Sequence, residues 1–265
     1  MLSHSQKKKH FKKPDDGESN VMKITAVIPA RYGSSRLEGK PLKDICGKTM
    51  IQHVYERVLQ AENVERVIVA TDDRKIVDAV NNFGGVVKMT SIDHKSGTDR
   101  VAEVMNSEKA DIVINVQGDE PLIDPRMIDE VAQPLIDDTS LVASTLCTPI
   151  IHEEKLNNPN VVKVVRDFQG FGIFFSRSLI PYPRNKEMFK AYEHIGIYVY
   201  RYDFLMKFVQ MPQTNLEITE SLEQLRIIEN GFKIKVIKSQ YPYNALSVDT
   251  QMDLEEIRRI VASSK

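Results

Sequence analysis

The sequence predicts an α/β fold, in which a mostly parallel sheet is covered by helices on both faces and carries an inserted β-rich subdomain. Three observations support this prediction. In the first half of the chain short apolar runs alternate with amphipathic segments, and the runs are apolar throughout. After about residue 141 the alternation gives way to consecutive strand-like runs. Strands that are apolar along their whole length are typical of parallel sheets buried on both faces.

The alternation can be followed along the chain from Lys23. Between successive apolar runs, apolar residues recur at intervals of three or four, as in helices that pack one face on a sheet. The predicted strands of this half are residues 24–28, 66–70, 86–89 and 112–116, and the helices between them contain Val54, Val80 and Val104.

The second half is predicted to add four strands and then two helices separated by a fifth strand. We expect one domain over residues 22–265, with the subdomain at about 141–215, because no long linker divides the chain. Residues 1–21 are polar and then acidic, and are predicted to be a disordered tail. The predicted strands are residues 141–145, 161–165, 172–175, 195–200 and 233–237, and the helices are residues 216–230 and 250–262.

Composition limits the classes of function. The formal net charge of -1, with 28% charged and 42% hydrophobic residues, gives no global sign of nucleic-acid or membrane binding. The sequence has no apolar run long enough for a membrane span. Cys46 and Cys147 are the only cysteines, too few for a disulfide framework, which suits a reducing compartment and predicts a cytoplasmic protein.

The loop IPARYGSSRLEGKPL, residues 28–42, concentrates cations directly after the first strand. Arg31, Arg36 and Lys40 lie among Gly33 and Gly39, so backbone N–H groups can approach an anion closely. The spacing matches neither a P-loop nor a dinucleotide-binding turn. From the residues alone, a polyphosphate site and a solvated basic loop both remain open.

Two aspartates are candidate ligands for Mg²⁺. Asp119 follows the strand at 112–116 and is predicted to lie at the same sheet edge as Arg31. It is otherwise a turn residue that hydrogen-bonds its own backbone. Asp249 precedes the last predicted helix, so the alternative is that it serves only as the N-cap.

Other polar residues are compatible with either a functional or a structural role. Ser96 and Arg100 open a predicted helix, whose N–H groups can bind an anion, although capping also explains Ser96. His194 begins a strand, and Glu223 and Gln224 lie in a helix, where such residues are more often structural.

Taken together and in order, the motifs resemble the 3-deoxy-D-manno-octulosonate cytidylyltransferase family, also called CMP-Kdo synthetases, which act in lipopolysaccharide biosynthesis. The resemblance extends from about Lys23 to the end of the chain. The motifs that carry it are IPARYGSSRLEGKPL, ATDD, SGTDR, NVQGDEPLI, PNVVKVVRD, FFSRSLIPY, HIGIYVYR, LEQLR and VDTQMDLE.

The resemblance implies a Rossmann-like, GT-A-like nucleotidyltransferase fold and transfer of CMP from CTP to the sugar acid Kdo. It further implies a homodimer, with the subdomain forming the sugar-side wall and much of the interface. By motif position, Arg31, Lys40, Asp119 and Asp249 would be catalytic, with Asp119 and Asp249 holding Mg²⁺. Ala30, Arg31, Gly33, Ser34, Lys40, Ser96 and Arg100 would bind the nucleotide, and Arg36, Gln117, His194, Tyr198, Glu223 and Gln224 the sugar.

One position departs from the family pattern, and two other functions stay open. Ser247 stands where the family usually has glycine, which puts the placement of Asp249 in question if the backbone needs a positive φ there. A related enzyme could act on 8-amino-Kdo, a sialate-like acid or a pseudaminate-like acid. A protein of another class, a non-catalytic nucleotide-binding regulator, would have less need of two metal-binding carboxylates.

Overall fold

A computed structural model of the chain describes residues 22–33, 37–243 and 247–263. The predicted tail at 1–21 lies outside these ranges, as do Ser34 and Arg36. The strands are β1 Ile24–Ala30, β2 Asp44–Ile45, β3 Lys48–Thr49, β4 Arg66–Thr71, β5 Val87–Met89, β6 Ile112–Asn115, β7 Ala143–Pro149, β8 Lys163–Arg166, β9 Gly172–Ser176, β10 Tyr192–Arg201 and β11 Lys235–Lys238.

Helices connect most of these strands, and their apolar faces divide into two sets. Those of α1, α2 and α4 pack on one face of the sheet, and those of α3, α6 and α8 pack on the other. The helices are α1 Met50–Val58, α2 Arg74–Asn82, α3 Gly97–Met105, α4 Pro125–Asp137, α5 Glu153–Leu156, α6 Tyr202–Phe208, α7 Asn215–Glu220, α8 Gln224–Glu229 and α9 Gln251–Ser263, with a 3-10 turn at Lys40–Leu42.

The central sheet has the order β11-β7-β10-β6-β1-β4-β5. Its strands are parallel except for β10, which is antiparallel to both β6 and β7. The prediction of a mostly parallel sheet covered on both faces is therefore confirmed. After β1, the next strands of the sheet, β4 and β5, lie on one side of β1, and β6 lies on its other side. The direction in which strands are added therefore reverses between β1 and β6. A ligand crevice is expected at the carboxyl ends of two strands related in this way.

The strands of residues 141–215 continue the central sheet. β7 and β10 pair within it over most of their lengths, and β8 joins β10 through the single partner pair Glu193 and Lys163. β9 then pairs with β8 and extends this antiparallel part outward. The segment thus contributes two interior strands, β7 and β10, and an antiparallel extension of the same sheet, β8 and β9.

The single helix predicted at 216–230 is wrong. The segment forms two short helices, α7 and α8, separated at Ser221, whose φ of 52° places it in the left-handed region. The carboxylate of Glu217 in α7 pairs with the Arg226 guanidinium of α8, with both side chains almost fully buried. This pair holds the two helices at an angle that one continuous helix could not adopt.

A separate, smaller hydrophobic core packs the C-terminal helix α9 beside the basic loop. Ile45 from the β2–β3 hairpin packs with Val248, Leu254 and Ile257, all of them buried. The Arg258 guanidinium of α9 also donates to the Asp44 carbonyl. Asp249 is therefore carried to the sheet edge by a packed helix rather than by a free terminus.

Candidate active site

A cavity of about 320 Å³ lies at the carboxyl edge of β1 and β6, where the strand order reverses. Its wall includes Ala30 and Arg31 after β1, Gln117 and Asp119 after β6, and Lys40 from the intervening loop. Parallel strands that end at one edge bring these distant motifs together. The structure thus assembles the predicted nucleotide residues that lie in the described ranges around one opening, except for Gly33.

Gly118 allows the β1 and β6 loops to approach closely. A Cβ atom at this position would lie 2.9 Å from the Pro29 carbonyl oxygen, a contact that a side chain cannot make without movement of the backbone. Gly39 has a φ of 65° and begins the 3-10 turn that carries Lys40. Both glycines are therefore required by local geometry, the first for close approach and the second for backbone conformation.

The Lys40 ammonium group joins the two candidate metal-binding carboxylates. Its Nζ atom lies 2.8 Å from Asp119 Oδ2 and 3.2 Å from Asp249 Oδ1. The lysine side chain is 16% exposed, and the aspartates are 26% and 35% exposed, so the cluster faces the cavity without being sealed. The Asp119 carboxylate thus contacts a side chain from a distant loop, and its role as a metal ligand stays a prediction.

The N-cap alternative for Asp249 is wrong. Helix α9 begins at Gln251, and Thr250 occupies the cap position, where its hydroxyl accepts from the Asp253 backbone N–H. The Asp253 carboxylate in turn accepts from the backbone N–H groups of Thr250 and Asp249, at 2.7 and 2.9 Å. This capping box fixes the backbone of Asp249 while its carboxylate is directed to Lys40.

The two aspartate segments are also joined directly. The Val248 N–H donates to the Asp119 carbonyl over 3.0 Å, and the Val248 side chain is completely buried. Ser247, at the departure from the family pattern, is exposed. The neighbouring backbone bond and buried valine thus place Asp249 at the cavity with a serine at position 247.

Helix α3 presents its first turn to the same cavity. Ser96 caps this helix in a reciprocal pair with Asp99, so the capping alternative is confirmed, and its role in nucleotide binding stays a prediction. Arg100 also lines the cavity, but its guanidinium donates to Asp72 over 2.6 Å and to the Thr90 hydroxyl. Arg100 thereby connects the loops that follow β4 and β5 to the helix.

Strand β10 contributes His194 and Tyr198, whose rings lie 5.4 Å apart. His194 Nε2 is 2.8 Å from the Thr145 hydroxyl, and burial lowers the pKa of the imidazole to about 3. Burial also raises the pKa of the Tyr198 phenol. Both side chains are therefore neutral at physiological pH and offer hydrogen bonds rather than charge.

Gln117 lies between the nucleotide cavity and β10. It lines the cavity, and its Cγ atom is 3.7 Å from the place that a Cβ atom on Gly196 would occupy. Gly196 lies in the irregular stretch of β10 where the pairing with β7 shifts register between Ile195 and Tyr198. The predicted sugar residues on β10 thus adjoin the predicted nucleotide site.

Glu223 and Gln224 lie at the start of α8, beyond the break at Ser221. The Glu223 carboxylate accepts from the Thr98 hydroxyl over 2.7 Å, and burial raises its pKa. Gln224 is 3% exposed. A second cavity, of about 480 Å³, has Glu223, Lys95 and Ser96 in its wall, and the last two also line the first cavity.

Several buried polar residues next to these sites were not predicted. Asn115 and Thr98 are 2% exposed, and Glu120 is 4% exposed. Burial, together with the charge of Asp119, raises the pKa of Glu120 to about 8. The sequence could have pointed to Asn115, because it is an amide at the end of an otherwise apolar strand. Thr98 could not be recognised in this way, because it lies within the helix-capping pattern.

This arrangement can hold a polyanion and neutralise it. Cationic groups, a helix N-terminus and a pair of carboxylates surround one cavity, and a neutral hydrogen-bonding surface adjoins it. Two carboxylates suit Mg²⁺, which completes its coordination with water and phosphate oxygens. Fold and site together define a nucleotide-binding α/β protein equipped for transfer of a phosphorus-containing group.

Comparison with known proteins narrows this class. Residues 25–235 match the cytidylyltransferase family model. The 3-deoxy-manno-octulosonate cytidylyltransferase of Geotalea uraniireducens is 53% identical over 89% of this chain and 98% of its own length. The enzyme of the same name from Geobacter sulfurreducens is 50% identical over 89% and 98%. A solved structure of CMP:2-keto-3-deoxy-manno-octonic acid synthetase complexed with CTP has a TM-score of 0.88 at 48% identity, covering 92% of this chain and 100% of that one.

The chain belongs to the cytidylyltransferase family, and within it to the 3-deoxy-manno-octulosonate cytidylyltransferases. The resemblance inferred from the motifs is confirmed, and so is the nucleotidyltransferase fold. In the described part of the chain, no helix is both long and apolar enough to cross a membrane.

Proposed function

We propose that the protein transfers CMP from CTP to the anomeric hydroxyl of Kdo, giving CMP-Kdo and diphosphate for lipopolysaccharide biosynthesis. The observation that carries this proposal is the contact of Lys40 with Asp119 and Asp249 at the crevice between β1 and β6. The cluster provides a cation for the triphosphate and two carboxylates for a metal. Relatives that share half of the sequence and carry the name of this activity support the same proposal.

The proposed roles in CTP binding follow the chemistry of each side chain. Arg31 is a fork that matches two phosphate oxygens, and Lys40 is a compact charge for the β- and γ-phosphates. Phosphoryl-type transfer depends mainly on alignment and on neutralisation of developing charge, which these residues would supply. The remaining proposed nucleotide contacts are Ala30, Gly33, Ser34, Ser96 and Arg100.

We assign Mg²⁺ to Asp119 and Asp249. The donor set fits, because two carboxylates at a partly open cavity leave positions for water and phosphate oxygens. Bound Mg²⁺ would neutralise phosphate charge and lower the pKa of the attacking hydroxyl. Lys40, which contacts both carboxylates, would then turn its ammonium group to the triphosphate.

The sugar acid is assigned to the neutral surface beside the nucleotide cavity. Many hydroxyl groups call for fixed donors and acceptors, which the partly buried His194, Tyr198 and Glu223 and the buried Gln224 would supply. Gln117 lines the nucleotide cavity and adjoins β10, the strand that carries His194 and Tyr198. Arg36, which lies outside the described residues, is proposed to meet the carboxylate of the sugar acid.

We also propose that the protein acts as a cytoplasmic homodimer. Exposed apolar side chains on the antiparallel side of the molecule, among them Ile151, Phe168, Ile173, Tyr182 and Met188, would provide contact area. Exposed apolar side chains that gather into one patch are typical of a protein interface. Cys46 and Cys147 are not joined by a disulfide, which suits a reducing compartment. Light scattering of the purified protein tests the dimer.

The deciding experiment is pyrophosphate release from CTP and Mg²⁺, with and without Kdo. Release that requires Kdo supports the proposal, and preference for 8-amino-Kdo, a sialate-like or a pseudaminate-like acid would replace Kdo as the substrate. A chelator should abolish turnover. A folded protein that binds CTP yet releases no pyrophosphate with any of these acids would instead be a non-catalytic regulator.

A further inference from the structure

Three buried polar atoms near the predicted sugar residues have no hydrogen-bond partner in the described part of the chain. They are Asn115 Oδ1, Glu223 Oε1 and Gln224 Nε2. The Glu223 atom forms an ion pair with Arg226, whose Nη2 lies 3.6 Å away, but it accepts no hydrogen bond. An unpaired buried polar atom costs roughly 1–3 kcal/mol. Because native proteins pair most such atoms, three near one predicted site suggest that a ligand completes them.

A chain of hydrogen bonds connects two of these side chains. The Asn115 amide donates to the Thr98 hydroxyl over 3.3 Å, and this hydroxyl donates its single proton to Glu223 Oε2 over 2.7 Å. Asn115 also lies opposite Tyr198 in the pairing of β6 with β10. The relay therefore joins the end of β6, the first turn of α3 and the start of α8 beside a predicted sugar residue.

The three atoms without a hydrogen-bond partner are a set that the hydroxyl groups of a polyol could satisfy. Asn115 Oδ1 and Glu223 Oε1 are acceptors, and Gln224 Nε2 is a donor. Hydroxyl groups can serve all three atoms because each both donates and accepts. A triphosphate would place further oxygen acceptors against the two acceptors, so the unpaired set disfavours the nucleotide phosphates as its ligand.

We propose that Thr98 and Asn115 are positioning residues that orient the Glu223 carboxylate toward the sugar hydroxyls, and thereby set the affinity for the sugar acid but not for CTP. The proposal rests on the proposed function, in which Glu223 binds the sugar. Thr98 is well placed for this separation. Its neighbours Ser96 and Gly97 line the nucleotide cavity, whereas its own buried side chain is directed to Glu223.

The test is steady-state kinetics of the full-length Thr98→Val variant with CTP and Kdo varied in turn. Valine keeps the shape of threonine but cannot donate to Glu223. We expect the KM for Kdo to rise by roughly tenfold to a hundredfold, with the KM for CTP within about twofold of wild type. Thr98→Ser, which keeps the hydroxyl, should restore most of the loss. Thr25→Val, at a buried position near the opposite end of β1, is the matched control and should change neither constant.

Asn115→Leu tests the relay if Thr98→Val does not fold. It removes a buried unpaired carbonyl, so thermal stability should be maintained or raised while the KM for Kdo rises. An unchanged KM for Kdo in Thr98→Val, or equal rises in both KM values, would overturn the inference. Wild-type protein that is inactive with every sugar acid would refute the proposed function instead, so the two failures are distinguishable.

Discussion

The two sides of the candidate site handle polarity in opposite ways. On the nucleotide side, Lys40, Asp119 and Asp249 are charged, partly exposed and already paired with each other. On the sugar side, His194 and Tyr198 are neutral through burial, and one Glu223 oxygen has no hydrogen-bond partner. Charge facing solvent can exchange one counterion for another, whereas buried hydrogen-bonding atoms suit a particular arrangement of hydroxyls. We therefore expect ionic catalysis on the first side and substrate selection on the second.

The largest expected effect comes from removing a carboxylate of the charged side. Asp119→Asn and Asp249→Asn should each lower kcat by roughly 10²–10³-fold, because each removes a proposed Mg²⁺ ligand while keeping the shape of the side chain. Pyrophosphate release at saturating substrates measures the loss. Asp78→Asn, on the exposed surface of α2, is the control and should retain full activity. Near-normal turnover in either site variant would exclude that aspartate from the metal site.

The next effect concerns the neutral side and depends on pH. The folded-state pKa of His194 is about 3 rather than 6.5, so the unfolded chain binds the additional proton as pH falls. The stabilising contribution of the neutral ring is complete above pH 6.5 and declines until about pH 3. By pH 5 the loss is about 2 kcal/mol.

Denaturant titrations of wild type and His194→Gln at pH 7 and pH 5 measure this contribution. The wild-type protein should lose the larger share of its unfolding free energy between the two pH values. The exposed His152→Gln serves as the control, and its pH dependence should follow that of wild type. Identical pH dependence in His194→Gln and wild type would show that the ring is not held neutral by burial.

A smaller effect should come from removing a side chain that only positions the backbone of Asp249 and is not itself a proposed Mg²⁺ ligand. Asp253→Ala removes the acceptor for the Asp249 and Thr250 N–H groups, and should cost about 1 kcal/mol of stability. It should also raise the Mg²⁺ concentration needed for half-maximal activity, with little change in kcat at saturating Mg²⁺. Asp124→Ala, which removes the cap of α4, should cost similar stability without altering the Mg²⁺ dependence. An equal Mg²⁺ response in both variants would contradict this positioning role.

The smallest expected effect is at the departure from the family pattern. Ser247→Gly should change kcat and stability little, within about 0.5 kcal/mol, because the serine is exposed and the Val248 bond to Asp119 is retained. Parallel kinetic and thermal measurements suffice. A large gain in activity on substitution with glycine would show that Ser247 displaces Asp249 in the natural protein.

The sequence predicted the parallel half of the fold well, because buried strands and amphipathic helices leave strong apolar periodicities. Strand β4, for example, was predicted at residues 66–70 and spans Arg66–Thr71. Prediction failed at Ser221, where a left-handed residue breaks a helical pattern, and at α4, which contains Pro134 and was not predicted. Local propensity does not record the tertiary contacts that outweigh it.

By itself the sequence determined the alternation of strands and helices, and the motifs placed the family and most candidate site residues. Only the tertiary structure decided which of them meet. Lys40 reaches Asp249 across 209 residues, and Thr98 reaches Glu223 across 125. Such contacts depend on strand order, on a backbone hydrogen bond between loops and on the angle between two short helices. None of these leaves a periodic trace along the chain, because each arises from packing between segments rather than within one.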